Sequence, residues 1–259
     1  MRKYETQTRY SISKAQEQVL LYLHKYRFIT SDLLAELLVK DRSTIYERLF
    51  VLEQQGYIKK QYDKTFRIRL RPATYCLAPA GIRYLKHHGT ERTQLHYKSK
   101  NLAEEQIDIQ LLYMKIGIML RKHYPNKFNS YTKYQLNPDD YINPTLHLKF
   151  EGANSTIPDY FVELFPAFTL SWRIRKRINQ HIEAADEVEY KYPNLLLIAG
   201  NKSTERRIIR MTADTYASFD VFTTTLDRLM SGEKNIWLRP EEVDRDEISE
   251  FSSLPVKLE

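Results

Sequence analysis

At Gly56 the spacing of apolar residues changes from helical to alternating, and that switch constrains the fold more than any other feature of the chain. On its N-terminal side Ile45, Leu49 and Leu52 recur at i, i+4 and i+7, which puts one apolar face on a helix. The opposite face carries Ser43, Glu47, Phe50 and Gln54, with Thr44 and Tyr46 at its edges and Arg42 just before it. Asp41 or Ser43 can cap the start, and Gln54-Gln55-Gly56 supplies the stop. On the other side Tyr57, Ile58 and Tyr62, then Phe66, Ile68 and Leu70, alternate with charge around Asp63-Lys64, which predicts a β-hairpin. Lys59, Lys60, Lys64, Arg67, Arg69 and Arg71 give that ribbon six cations against one acid, Asp63. Phosphate is the natural counterpart of such a strip. A sheet edge protected by lysines is its plainer use.

The flanking segments favour the first reading. Val19, Leu20, Leu23 and Tyr26 predict a helix over Lys14–Tyr26, and Thr30-Ser31-Asp32 caps a second whose inner face is Leu33, Leu34, Leu37 and Leu38. A short turn, Val39 to Arg42, leads to the third helix at Ser43. Helix, capped helix, turn, helix and basic hairpin follow the order of a winged helix-turn-helix. Thr74–His88 reads as a strand returning to the sheet and a helix with Ile82 and Leu85 inward, and Cys76 in that strand reads as a small core residue. Residues 1–100 hold 20 Lys and Arg against 9 Asp and Glu, whereas the remainder holds 20 against 24, so the basic excess is confined to this region. The partner expected is double-stranded DNA: Ser43, Thr44 and Tyr46 approach base edges in the major groove. Arg42, Arg48, Lys59, Lys60, Lys64, Arg67, Arg69 and Arg71 meet phosphates or the minor groove. A homodimer is expected from the way winged helices reach palindromic sites.

The domains expected are a flexible arm at 1–13, the winged helix at 14–96, and a connecting helix with an α/β domain at 97–259, an α+β, mixed fold overall. In the last of these, strands are predicted at Thr145–Phe150, Thr156–Phe165, Leu195–Gly200, Arg207–Thr212 and Ile236–Leu238, and helices at Ser171–Tyr190 and Ala213–Met230. A run such as Leu195–Ala199, apolar at every position, marks a strand covered on both faces. Arg173, Arg175, Lys176 and Arg177 crowd the first turns of the Ser171 helix while Glu183, Asp186, Glu187 and Glu189 fill its later ones, the reverse of what the helix dipole favours. The four cations read as a secondary basic patch for a polyanion or acidic partner, or as a solvated charge run.

Several classes are disfavoured. No stretch approaches 18 uninterrupted apolar residues and no secretion signal opens the chain, so a cytoplasmic protein with no membrane partner is expected. Cys76 is the single cysteine, and no Cys/His cluster has zinc spacing, so neither a metal nor a cofactor is called for. His87-His88 reads as a solvated helix end. There is no His-x-His of a relaxase, no Arg/His/Arg set of a tyrosine recombinase, and no glycine-rich phosphate loop.

The winged-helix order, the closing strand-then-glycine element from Tyr75-Cys76-Leu77 to Gly81, the connecting helix, Pro158-Asp159, the strand Phe161-Val162-Glu163-Leu164 and the basic helix together resemble the replication-relaxation family of plasmids and other mobile elements. The resemblance implies a second domain similar to restriction endonucleases, whose pattern is Pro-Asp, a hairpin, then an acidic-x-acidic-or-Lys strand. Asp159 and Glu163 match the two acids, which in a nuclease would hold Mg²⁺; alternation puts residues 159, 161, 163 and 165 on one strand face. Phe165 stands where the lysine belongs, which points to a degenerate site and no enzymatic activity. The function implied is a replication or mobilisation accessory, or a transcription regulator, of a mobile element, with a replication or transfer protein as a further partner. A metal-dependent nuclease using Asp159 and Glu163, and a protein-interaction scaffold, are the alternatives.

Overall fold

The computed structural model describes residues 12–62, 68, 71–90, 102–124, 128–136, 142–150, 158–213, 217–233 and 236–240. The chain divides into two compact units, Met1–Leu111 and Leu112–Glu259. The division falls within a long helix, Glu104–His123, and not in the polar connector at 89–100. The arm expected at 1–13 lies outside the described residues except for its last two.

In the first unit the order is α1 (Lys14–Tyr26), β1 (Ile29–Thr30), α2 (Ser31–Leu38), α3 (Arg42–Gln54), β2 (Ile58–Gln61), β3 (Thr74–Leu77) and α4 (Pro79–His87). Ser13 and Gln16 form a reciprocal capping box at α1, and the Thr30 hydroxyl accepts from the Leu33 N–H at 3.3 Å to cap α2. Asp41 precedes α3 without a side-chain cap bond, and Gly56 takes the left-handed φ of 74° that ends the helix. Val19, Leu20, Leu23, Leu34, Ile45, Leu49 and Leu52 are fully buried, each worth about 1.5–3 kcal/mol of transfer free energy. They fix which face of α3 is left outside.

The expected arm at 66–70 lies outside the described residues except for Ile68. The small sheet has the order β1-β3-β2, and β2 pairs antiparallel with β3 in the register Ile58↔Leu77, Lys59↔Cys76, Lys60↔Tyr75 and Gln61↔Thr74. The partner of β2 among the described residues is Thr74–Leu77, the strand expected to return to the sheet. Tyr75 and Leu77 bring buried apolar surface to the pairing, whereas Ile68 is 80% exposed and offers none. Phe66 and Leu70 lie outside the described residues.

The second unit is built on a five-stranded sheet of order β4 (Asn129–Tyr131), β5 (Leu146–Lys149), β6 (Tyr160–Phe165), β7 (Asn194–Ala199) and β8 (Val221–Thr225). The β4–β5–β6 pairs are antiparallel, and the β6–β7–β8 pairs are parallel. The helix Glu104–His123 is α5; α6 (Ser171–Glu187) connects β6 to β7, and α7 (Lys202–Thr212) connects β7 to β8. Ile174, Ile178, Ala184 and Ala185 of α6 share a core with Phe161, Phe165, Leu195 and Leu197. Two predicted elements change type. Arg207–Thr212 is the second half of α7, with Ile208, Ile209 and Thr212 buried at helical spacing, and Asn201 Oδ1 caps the helix by accepting from the Thr204 N–H at 2.8 Å. Ala213–Met230 contains β8, whose Val-Phe-Thr-Thr-Thr sequence suits a strand, followed by the short α8 (Leu226–Ser231). Of Ile236–Leu238, Leu238 bridges to Thr223 through two backbone hydrogen bonds of 2.8 and 2.9 Å.

Candidate nucleic-acid interface and the carboxylates of the second sheet

With Ile45, Leu49 and Leu52 inward, α3 presents Arg42, Ser43, Tyr46, Glu47, Phe50 and Val51 to solvent, while Thr44 and Arg48 are half-buried at its edges. Arg42 Nε lies 2.6 Å from Asp32 Oδ1, an exposed pair joining the start of α3 to α2 and worth at most about 1 kcal/mol. Lys59 is exposed on β2. Its neighbour Lys60 carries Nζ 5.9 Å from the Tyr46 ring centre and 5.6 Å from that of Tyr62. One ammonium thus bridges the outward face of α3 and the end of β2. Tyr62 was no site candidate in the sequence; the signal was its place two residues from Lys60, just past the end of β2.

Lys64, Arg67 and Arg69 lie outside the described residues. Arg71 needs a correction, because it is engaged within its own chain: its guanidinium binds Glu104 Oε2 at 2.9 Å and also Asp108 on α5. An arginine already facing two carboxylates is a poor phosphate ligand. Cys76, half-buried rather than in the core, has its thiol pushed up to about 11 by burial, against the pull of Lys59 and Arg27. Burial, with Tyr46 and Glu53 nearby, pushes Tyr75 up to about 12.

In the second unit, all of β6 is buried, Glu163 included. Buried carboxylates need partners, and α6 supplies them. Arg177 Nε and Nη2 donate to Glu163 Oε1 at 3.0 and 2.6 Å, and Nη2 also donates to the Asn143 carbonyl at 2.7 Å. His181 Nε2 donates to the same oxygen at 3.0 Å, and the Thr145 hydroxyl donates to Oε2 at 3.3 Å. Burial pushes the Glu163 carboxyl up, but the His181 hydrogen bond and the Arg177 charge outweigh it and hold it below the usual range. His181 is fully buried, and burial holds its imidazole below the ordinary value despite Glu163, so the ring is neutral and its Nδ1 accepts from the Tyr192 hydroxyl at 2.8 Å. Arg177 therefore leaves the predicted basic patch; Arg173, Arg175 and Lys176 remain exposed.

Asp159 immediately precedes β6. Its Oδ2 accepts from His147 Nε2 at 3.2 Å and its Oδ1 from the Phe150 N–H at 3.3 Å. Burial pushes this carboxyl up, but those bonds and the nearby Lys149 hold it below the usual range. The pair lines a cavity of about 320 Å³ with Phe161, Tyr192 and Lys191. The two acids of the expected nuclease pattern are thus separately satisfied, Asp159 by a histidine and Glu163 by an arginine and a histidine. Among the described residues no three His, Cys, Asp or Glu side chains are grouped to hold a metal ion.

No protein-family model matches the chain, so the resemblance to the replication-relaxation family rests on its short motifs. No curated protein matches it. Among solved structures it is similar to Lactococcus lactis ZitR, described as a zinc-responsive MarR family member, at 18% identity and a TM-score of 0.26 over 47% of this chain and 83% of that one. A point mutant of ZitR gives 17% identity and a TM-score of 0.27 over 47% and 82%. Likenesses of this size do not establish a common fold. Among the described residues no helix is long and apolar enough to cross a membrane.

Proposed function

We propose that the first unit is a winged helix that binds double-stranded DNA, with α3 in the major groove and Lys59 and Lys60 of β2, together with Lys64, Arg67 and Arg69, on the phosphates. The observation that carries this reading is the Tyr46–Lys60–Tyr62 contact, which joins the outward face of α3 and the basic end of β2 into one surface. Ser43, Thr44 and Tyr46 are the side chains that meet base edges, and Arg42, Arg48, Lys59 and Lys60 are the described cations that meet phosphate. Following the resemblance, the role is that of a replication or mobilisation accessory, or a transcription regulator, of a mobile element, acting as a homodimer.

The antiparallel β4–β5–β6 order followed by a helix and a parallel strand supports a restriction-endonuclease-like origin for the second unit. Its role in this reading is binding without cutting, because Glu163 already faces two cationic or hydrogen-bonding partners on α6. The test is a titration of the full chain against labelled duplex DNA from its own genomic neighbourhood, over a range of salt and with or without Mg²⁺. Replacing Lys59 and Lys60 with Gln lowers the log–log salt slope by about 1.8, the share of two phosphates. Tyr46→Ala changes discrimination between sequences and leaves the slope in place. Salt-independent binding would remove the phosphate-contact reading, and Mg²⁺-dependent cutting abolished by Asp159→Ala would replace it with a nuclease.

A further inference from the structure

The carboxyl ends of the parallel strands β6 and β7, where open α/β sheets place their ligands, carry a loop, 166–170, that runs into α6. The loop is held closely. The Gly200 N–H donates to the Phe165 carbonyl at 2.8 Å, the Thr204 hydroxyl to the Ala167 carbonyl at 2.8 Å, and Arg207 Nη1 to the Thr169 carbonyl at 2.8 Å. The Thr169 hydroxyl closes the turn on the Pro166 carbonyl at 2.7 Å. A Cβ added at Gly200 would meet the Ala167 nitrogen at 2.3 Å, so the backbone of the loop lies directly on that glycine.

This rigid loop points its largest side chains into solvent. Phe168 is 94% exposed, and Leu170 and Trp172 are each more than half exposed. A phenylalanine left outside forgoes about 1.5–3 kcal/mol that burial would contribute. Around Trp172 stand Arg173, Arg175 and Lys176, which form no ion pair among the described residues, and the Arg173 guanidinium lies 5.2 Å over the Trp172 ring. The first acid further along α6 is Glu183, about two turns beyond Lys176, so no acid of this helix falls among the three cations.

We propose that this face of the second unit binds single-stranded DNA. Unpaired bases have the flat apolar faces that stack on Phe168 and on the Trp172–Arg173 pair, and the intervening phosphates match the three cations. Duplex DNA hides its base faces and uses only the charge. An acidic protein segment would use the cations and leave the rings idle. The assignment stands on this loop alone and does not require the duplex-binding reading of the first unit.

The two tryptophans provide the readout, since Trp172 is exposed and Trp237 is 1% exposed. The full-length protein is titrated with a (dT) oligonucleotide while intrinsic fluorescence is followed, and affinity is read in parallel from the anisotropy of a labelled oligonucleotide. Binding quenches the wild-type emission, and Trp172→Phe abolishes the quench with little change in affinity. Phe168→Ala and Trp172→Ala each weaken the oligonucleotide by about tenfold, a stacked base apiece. Their unfolding curves match the wild type, because neither side chain is buried. The Lys59→Gln, Lys60→Gln double variant keeps the quench, which separates this face from the first unit. Oligonucleotide affinity unchanged in both alanine variants, or a quench that survives Trp172→Phe, overturns the assignment. So does a stronger Trp172 quench with poly-glutamate or with phosphatidylserine vesicles than with the oligonucleotide, in favour of an acidic protein or a membrane.

Discussion

The outward face of α3 and the Glu163 face of β6 both carry ionisable side chains, yet one is open and the other is closed. On α3 the charged and aromatic side chains stand in solvent because three aliphatic residues hold the opposite face to the core. On β6 the charge is covered by α6, whose Arg177 and His181 sit one turn apart and reach the same carboxylate oxygen. The cations of α6 therefore fall into two kinds, three outside and one structural, although they are nearly contiguous in sequence. Charge density along a chain is a poor guide to charge available for a ligand; what covers the face decides.

The largest test of that contrast is Glu163→Ala. It leaves Arg177 and His181 without their shared acceptor in a buried position, and should cost about 3 kcal/mol or more in urea unfolding, with duplex affinity of the folded protein unchanged. A cost under about 1 kcal/mol would mean that the β6 face is as open as that of α3. Next in size is a pH effect. The unfolded chain takes up a proton at His181 near an ordinary value of about 6.5, whereas the native ring, held lower by burial, does not. Stability should thus decline as pH falls through that value, and decline further through the carboxylate range as native Glu163, also held low, resists the proton that the unfolded chain accepts. Chemical unfolding at a series of pH values should show this slope in the wild type and a flatter one near pH 6 in His181→Gln.

Arg71 sharpens the contrast within the first unit. Its pairs with Glu104 and Asp108 are partly exposed, so Arg71→Gln should cost about 1 kcal/mol or less and leave the salt slope of duplex binding unaltered. A slope reduced by about 0.9 would return Arg71 to the phosphate contacts. The smallest effect concerns Cys76: with its thiol at about 11, alkylation at neutral pH should be far slower than for an ordinary cysteine, and faster in the unfolded chain.

Much of the first unit was legible because its helices declare themselves locally. Apolar spacing placed α1, α2 and α3, and Thr30 and Gly56 marked a start and a stop. The register of β2 on Thr74–Leu77 was not legible, since it rests on the burial of Tyr75 and Leu77, a non-local event. In the second unit the short run Ile208, Ile209, Met211 fits a strand or a helix equally, and the Asn201 cap that settles it precedes the run by several residues. Arg177 and His181 could have been found: they fall at i+3 and i+7 from Ile174, on the stripe that Ile178 and Ala185 also occupy. The four adjacent cations masked that period. An acid in the middle of an apolar strand was the complementary signal, because such a residue has to be answered from the covering helix.

Gly200 has a consequence for how the second unit could be tuned. With the Ala167 backbone resting on its hydrogen, the residue acts as a fulcrum for the whole 166–170 turn. A single methyl group there would lift the turn and redirect Phe168 without touching any ring or cation, so the placement of the exposed aromatics hangs on the smallest side chain in the neighbourhood.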